Sequence, residues 1–263
     1  MRPLLFHIGP IPIRAYGLMI VIGFLCGLWL AIRRGKKENI SKDFMMDLAF
    51  YLLLAALLGS KILHIIIFWH DYVAQLPELV RHPTELFTYL GSGLIFFGGL
   101  IAAVPIGILY IKKHGLPVWK IADIAAPSFP LAHGFGRLGC FLAGCCYGKP
   151  CDLPWAVTFN HPDSLAPMNV PLHPTQLYSA IFNFLVVVIL LILTPYFKRY
   201  GQLFWTYVLL YSSGRFIIEF FRADPRGSLI NGLLSTSQFI GLIIIFLAIG
   251  AQIWLARTGT VRN

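Results

Sequence analysis

Between positions 227 and 256 the chain runs for 30 residues without a Lys, Arg, Asp or Glu. About 20 mostly apolar residues in a helix, rising about 1.5 Å each, already cross the roughly 30 Å hydrocarbon core of a bilayer. A segment this long and uncharged therefore points to a membrane, and the rest of the chain agrees. It is 57% hydrophobic and 12% charged with a mean hydropathy of +0.74, about half the charged fraction of a soluble domain. Disorder, collagen, coiled coil and a small disulfide scaffold are excluded on the same grounds. The net charge of +10 is read as cytoplasmic anchoring charge and contact with anionic membrane lipid, with no nucleic acid partner.

The expected fold is an all-α integral membrane protein with about seven transmembrane helices, a single polytopic domain over 1–263. The spans fall near 16–32, 44–69, 92–111, 118–142, 176–196, 202–221 and 233–256. Lys and Arg collect at alternate ends: Arg33, Arg34, Lys36, Lys37 and Lys42, then Lys112, Lys113 and Lys120, then Lys198 and Arg199, and finally Arg257 and Arg262. These ends mark the cytoplasmic side, so the N-terminus is expected outside and the C-terminus inside. Outer loops follow near 70–91, 143–175 and 222–232, and such loops are where a membrane enzyme keeps its recognition surface. The first 14 residues contain three prolines and lack the apolar core of a cleaved signal, so the first apolar run is expected to stay in the membrane. No inverted repeat of the transporter kind is visible.

Several polar residues converge at one depth. Arg215 lies 13 residues beyond Gln202, about 20 Å from the inner surface, and Glu219 follows one turn later on the same face. Arg137, Tyr16, His173, Gln176, Tyr178, Ser235 and Gln238 also fall in the outer half. A charge at membrane depth costs about 2.5–3.5 kcal/mol on insertion scales unless paired or hydrated. Two forked guanidiniums at one level suit a phospholipid head-group clamp; the alternative is an Arg215–Glu219 pair and an Arg137 that snorkels.

More specific are HGFGRLGCFLAGCCYG at 133–148 and YSSGRFIIEFFR at 211–222, with AYGLM at 15–19, FGGL at 97–100, HPTQLY at 173–178 and LLSTSQ at 233–238. In order and spacing, from about 10 to 250, these segments resemble the prolipoprotein diacylglyceryl transferases of bacterial inner membranes. The resemblance implies transfer of the diacylglyceryl group of phosphatidylglycerol to the lipobox cysteine thiol of a preprolipoprotein, with release of glycerol phosphate. It implies essential arginines at Arg137 and Arg215 and further substrate-binding residues at Tyr16, Asp123, Tyr211, Gly148 and Glu219. Three positions depart from the family pattern: Cys140 replaces an Asn, Cys145 an acidic residue, and Phe97 the His that commonly precedes GGL.

A thiol of pKa about 8.5 needs a base or a cationic field to ionise. With Phe97 unable to serve, the expected base is His133, four residues before Arg137 and on the same helical face; the alternative is a histidine merely hydrogen-bonded among helices. Glu219 is expected to partner an arginine rather than act as base. Cys140, Cys145, Cys146 and Cys151 lack the C-x-x-C pairing of a zinc site. A disulfide at the oxidising outer side is an alternative, and unpaired packing cysteines are the default expectation. No metal or other cofactor is expected. One rival function is a lipid or anion transporter, which would need polar residues through both leaflets; here the cytoplasmic halves carry little beyond Asp123, Asp47 and Lys61. Another is a redox or metal protein organised around the cysteine cluster.

Overall fold

A computed structural model describes residues 3–8, 11–73, 93–223, 228–229 and 234–261, with backbone only at 7–8, 11–12 and 228–229. The loops expected near 70–91 and 222–232 lie largely outside the described residues. Helices dominate: α1 Ala15–Lys37, α2 Lys42–Ile67, α3 Phe96–Lys113, α4 Val118–Ala125, α5 Ser128–Ala143, α6 Thr175–Leu193, α7 Gln202–Glu219 and α8 Thr236–Thr258. Short antiparallel pairs join Leu4–Ile8 to Ile11–Arg14, Val157–Thr158 to Pro171–Leu172, and Ser228–Leu229 to Leu234–Ser235.

Among the described residues, α1, α2, α3, α6 with its 3-10 extension, and α8 are long and apolar enough to cross a membrane. Their outward faces are apolar, with Trp29, Leu109, Ile181 and Phe246 each more than half exposed. Such continuous apolar surface is untenable in water and natural in lipid. The segment expected as one helix over 118–142 is broken into α4 and α5. Pro127 explains the break: it lacks the N–H that would continue the ladder, and its ring disfavours the helical conformation of the residue before it.

The chain divides into two compact units, 35–121 and 1–34 with 122–263. In the first, α2 and α3 pack through small residues. A Cβ on Gly59 would meet Ala102 Cβ at 2.4 Å, and one on Gly99 would meet Ser60 Oγ at 2.6 Å. Without a hydrophobic drive in lipid, such close backbone approach supplies the contact energy. Ser41 caps α2 by accepting from Phe44 N at 3.1 Å.

In the second unit, Ala126, Val186, Leu190 and Leu203 form a buried core beneath Phe182 and Tyr207. Phe159, Ala166 and Leu172 give the 144–174 connection a small core of its own. Arg34 ties the end of α1 to α4 and α6, donating to Ile124 O, Asp123 O and Thr194 Oγ1. Asp123 is 2% exposed, and its carboxylate accepts from Gly201 N and Phe204 N, both at 2.8 Å. It thereby caps α7 and meets the positive end of the helix dipole. Asp123→Ala strands those buried N–H groups, and stability is expected to fall by about 1–3 kcal/mol. Denaturant unfolding in micelles reads this directly, and an unchanged midpoint rejects the capping role.

Candidate active site

Two helices supply the polar side chains. The α5 helix starts after Pro127 and ends at Gly144, whose φ of +72° closes a left-handed C-cap. On it His133, Arg137 and Cys140 recur at i, i+4 and i+7, one face of a helix. On α7 the corresponding face carries Tyr211, Arg215 and Glu219. Glycines let the intervening α6 press against both: a Cβ on Gly134 would meet Phe184 at 2.6 Å, and one on Gly214 would meet Phe182 at 2.1 Å.

His133 stands where the two faces meet. Its ring lies 5.3 Å from that of Tyr211, its Nε2 accepts from Arg137 Nε at 2.9 Å, and it feels the charges of both Arg137 and Arg215. An Nε2 that accepts carries no proton, so the ring is neutral with its hydrogen on Nδ1. Arg215 donates to Glu219 Oε2. The other carboxylate oxygen, Oε1, accepts from Ser235 Oγ at 3.2 Å, and Arg222 Nε lies 3.9 Å from Oε2. Glu219 therefore lies between two guanidiniums and reaches the N-cap of α8, where Ser235 and Gln238 form a capping box. Two guanidiniums flank one carboxylate here, an excess of positive charge suited to an anion.

Beyond α5 the chain folds back sharply. Cys146 adopts φ +60°, a left-handed conformation rare for a residue with a Cβ. The Cys145 and Cys146 carbonyls are pinned by Gln176 Nε2 and Thr175 Oγ1, each at 2.8 Å. As a result the sulfurs of Cys140, Cys145 and Cys146 lie within 4.8 Å of one another, all as free thiols. Arg222 hydrogen-bonds to Cys146 Sγ. Tyr16, near the start of α1, lies close to these cysteines and to Arg137. It comes close because residue 139 is Gly: a Cβ there would sit 3.3 Å from Tyr16 Cα. Gly148 is clamped between His173 and Phe221, with its N–H on His173 O at 3.0 Å.

Along α7 at Gly214 and Ile217 opens a cavity of about 450 Å³, lined also by Trp155, Tyr178, Phe182 and Phe221 among others. Its wall is almost wholly apolar, with His173 and Tyr178 sharing a 3.2 Å hydrogen bond and Trp155 Nε1 donating to Tyr178 at 2.8 Å.

The structure thus brings His133, Arg137, Tyr211, Arg215 and Glu219 together, with Tyr16 alongside and Gly148 in the adjoining loop. Asp123 is not among them. It caps the first turn of α7, whereas Arg215 lies 13 residues further along that helix. Sequence reasoning passed over Arg222, Thr175 and the anchoring role of Gln176; the i+3 spacing of Glu219 and Arg222 was the available signal for the first.

A family model described as prolipoprotein diacylglyceryl transferase matches residues 3–254. A Clostridium tetani protein named phosphatidylglycerol–prolipoprotein diacylglyceryl transferase is 41% identical over 249 residues, covering 95% of this chain and 96% of the relative. A Clostridium perfringens protein of the same name, numbered 2, is 39% identical over 93% of this chain and 92% of its own. One from Bacillus velezensis is 34% identical over 98% and 93%. With the family model and these relatives matching almost end to end, the chain belongs to the prolipoprotein diacylglyceryl transferase family.

Proposed function

We propose that this chain transfers the diacylglyceryl group of phosphatidylglycerol to the lipobox cysteine thiol of preprolipoproteins, the first step of bacterial lipoprotein maturation. The observation that carries the reading is the meeting of Arg137 and Arg215 about His133, in a chain whose relatives bear that name. The protein works in the bacterial inner membrane with its N-terminus outside and its C-terminus cytoplasmic, α4–α5 and α7 completing seven crossings.

The thiolate sulfur attacks the terminal glycerol carbon of the diacylglyceryl group. A carbon–sulfur bond forms, the carbon–oxygen bond to phosphate breaks, and its electron pair leaves on glycerol phosphate. Arg137 and Arg215 hold the phosphate, and their help grows as charge develops on the leaving oxygen. Tyr211 packs against His133, and Tyr16 flanks Arg137. The apolar cavity along α7 at Gly214 and Ile217 takes an acyl chain.

His133 accepts the thiol proton. Its Nε2 lone pair is occupied by Arg137 before substrate arrives, and it is released when that guanidinium turns to the phosphate. His133→Ala is expected to lower turnover by about 100-fold or more. Normal turnover of the variant removes His133 as the base. The function itself is tested by reconstituting purified protein with labelled phosphatidylglycerol and a lipobox peptide. A thioether-linked diacylglyceryl peptide is expected, and none is expected from a peptide with Ser in place of its Cys. Absence of the product rejects the reading.

A further inference from the structure

Three thiols that converge near Arg137 and Arg222 are not used in this chemistry. Cys140 is buried on α5, while Cys145 and Cys146 are partly exposed on the loop that follows. Their sulfurs lie within 4.8 Å of each other. Around a zinc-sized ion with metal–sulfur bonds of about 2.3 Å, tetrahedral geometry places sulfurs about 3.8 Å apart. The required contraction is about 1 Å at most, within the reach of side-chain torsions. An odd number of thiols also leaves one over from any disulfide, whereas a trigonal set uses all three.

The loop is built to hold this arrangement. Left-handed backbone at Gly144 and Cys146 turns it back on α5, a conformation that a residue with a Cβ rarely adopts. Two side chains that are 0–1% exposed, Thr175 and Gln176, pin the carbonyls of Cys146 and Cys145. The other end of the Gln176 amide, Oε1, is buried and has no hydrogen-bond partner among the described residues. Arg222 supplies a positive charge at Cys146, which offsets the surplus negative charge of three thiolates around a divalent ion.

We propose that Cys140, Cys145 and Cys146 form a three-thiolate site for a soft divalent cation of the zinc class, whose remaining coordination position takes the acceptor thiol of the lipoprotein substrate. Thiolate ligands select soft and borderline cations. Three protein ligands with a fourth position open is the pattern of catalytic rather than structural zinc. A sulfur entering such a site is deprotonated outright. Its proton passes to His133 Nε2, directly or through water, and the sulfur then attacks the glycerol carbon as described. The inference rests on the proposed transfer reaction, and it supplies the activation of sulfur for which Phe97 leaves no side chain.

The test titrates the full chain in detergent, reduced and stripped of metal, with Zn(II) and with Cd(II), whose thiolate charge-transfer band counts sulfur ligands. One ion per chain is expected. Cys145→Ser and Cys146→Ser each should weaken binding by more than the about 10- to 100-fold that an outer supporting residue is worth. Cys26→Ser and Cys151→Ser should leave it unchanged. Gln176→Leu keeps all three sulfurs and should cost about 10- to 100-fold, which covers the case of a cysteine variant that does not fold. A lipobox peptide should add one sulfur to the cadmium band, and its Cys→Ser counterpart none. Absence of the band, its survival in both loop variants, or a mass two hydrogens lighter with no ion bound overturns the site. Full transfer by metal-stripped protein overturns the inference and leaves the proposed function standing. Stoichiometric metal binding without transfer under any condition rejects the function and leaves the three-thiolate site.

Discussion

Alanine at Arg137 or at Arg215 is expected to slow diacylglyceryl transfer by about 100- to 1,000-fold, the usual consequence of losing one preorganised donor to a developing charge. The two losses should not multiply. Both guanidiniums act about His133 and are proposed to grip one phosphate, and groups that act as a unit are strongly non-additive when removed together. Lysine is not an adequate substitute at either place. The fork of Arg137 reaches His133 through Nε, and no hydrogen bond within the described residues engages its terminal nitrogens; a single ammonium cannot face two acceptors in that geometry. The loss should appear in kcat with a smaller change in KM, since the contact strengthens only as the leaving oxygen gains charge. Initial rates with vesicles of phosphatidylglycerol and a lipobox peptide measure both constants. A loss of only a few-fold in either variant removes the clamp from the mechanism.

The placement of the residues proposed as the clamp was largely legible in the amino-acid sequence because membrane depth and helical spacing are both linear in residue number. Arg137 and Arg215 fall at one level by counting, and His133 shares a face with Arg137 at i+4. The apolar stretches were legible for the same reason, and five of them stand as helices of spanning length. What counting could not give was whatever depends on breaks and returns of the backbone. Pro127 divides the expected fourth span, and that division was readable in principle, since proline has no N–H to continue the ladder. The meeting of three sulfurs was not readable. Positions 140, 145 and 146 have no ligand-like periodicity, and their approach depends on φ values of +72° and +60° at Gly144 and Cys146, which no spacing rule encodes. Asp123 enters the candidate site through the resemblance alone; in the structure its carboxylate is held by two backbone amides at the start of α7.

Glu219→Ala is expected to destabilise the fold by about 3–5 kcal/mol, the penalty for breaking a buried pair and leaving its charge uncompensated. The carboxylate is 6% exposed and faces Arg215 and Arg222, whose side chains are 18% and 2% exposed. Without it, two guanidiniums in a poorly solvated site repel one another with nothing between them. Ser235 also loses an acceptor at the N-cap of α8. Glu219→Gln separates these effects. The amide oxygen still accepts from Ser235, so the capping contact survives and only the charge is lost. Thermal unfolding in micelles should therefore rank wild type above the Gln variant, and the Gln variant above the Ala variant. Turnover distinguishes a neutralising carboxylate from a basic one. A proton acceptor replaced by an amide stops the reaction while leaving stability nearly untouched. A neutraliser replaced by an amide lowers the unfolding midpoint, while turnover per folded molecule falls only as far as Arg215 is displaced from the phosphate. Loss of turnover with an unchanged midpoint would hand the base role to Glu219 and withdraw it from His133.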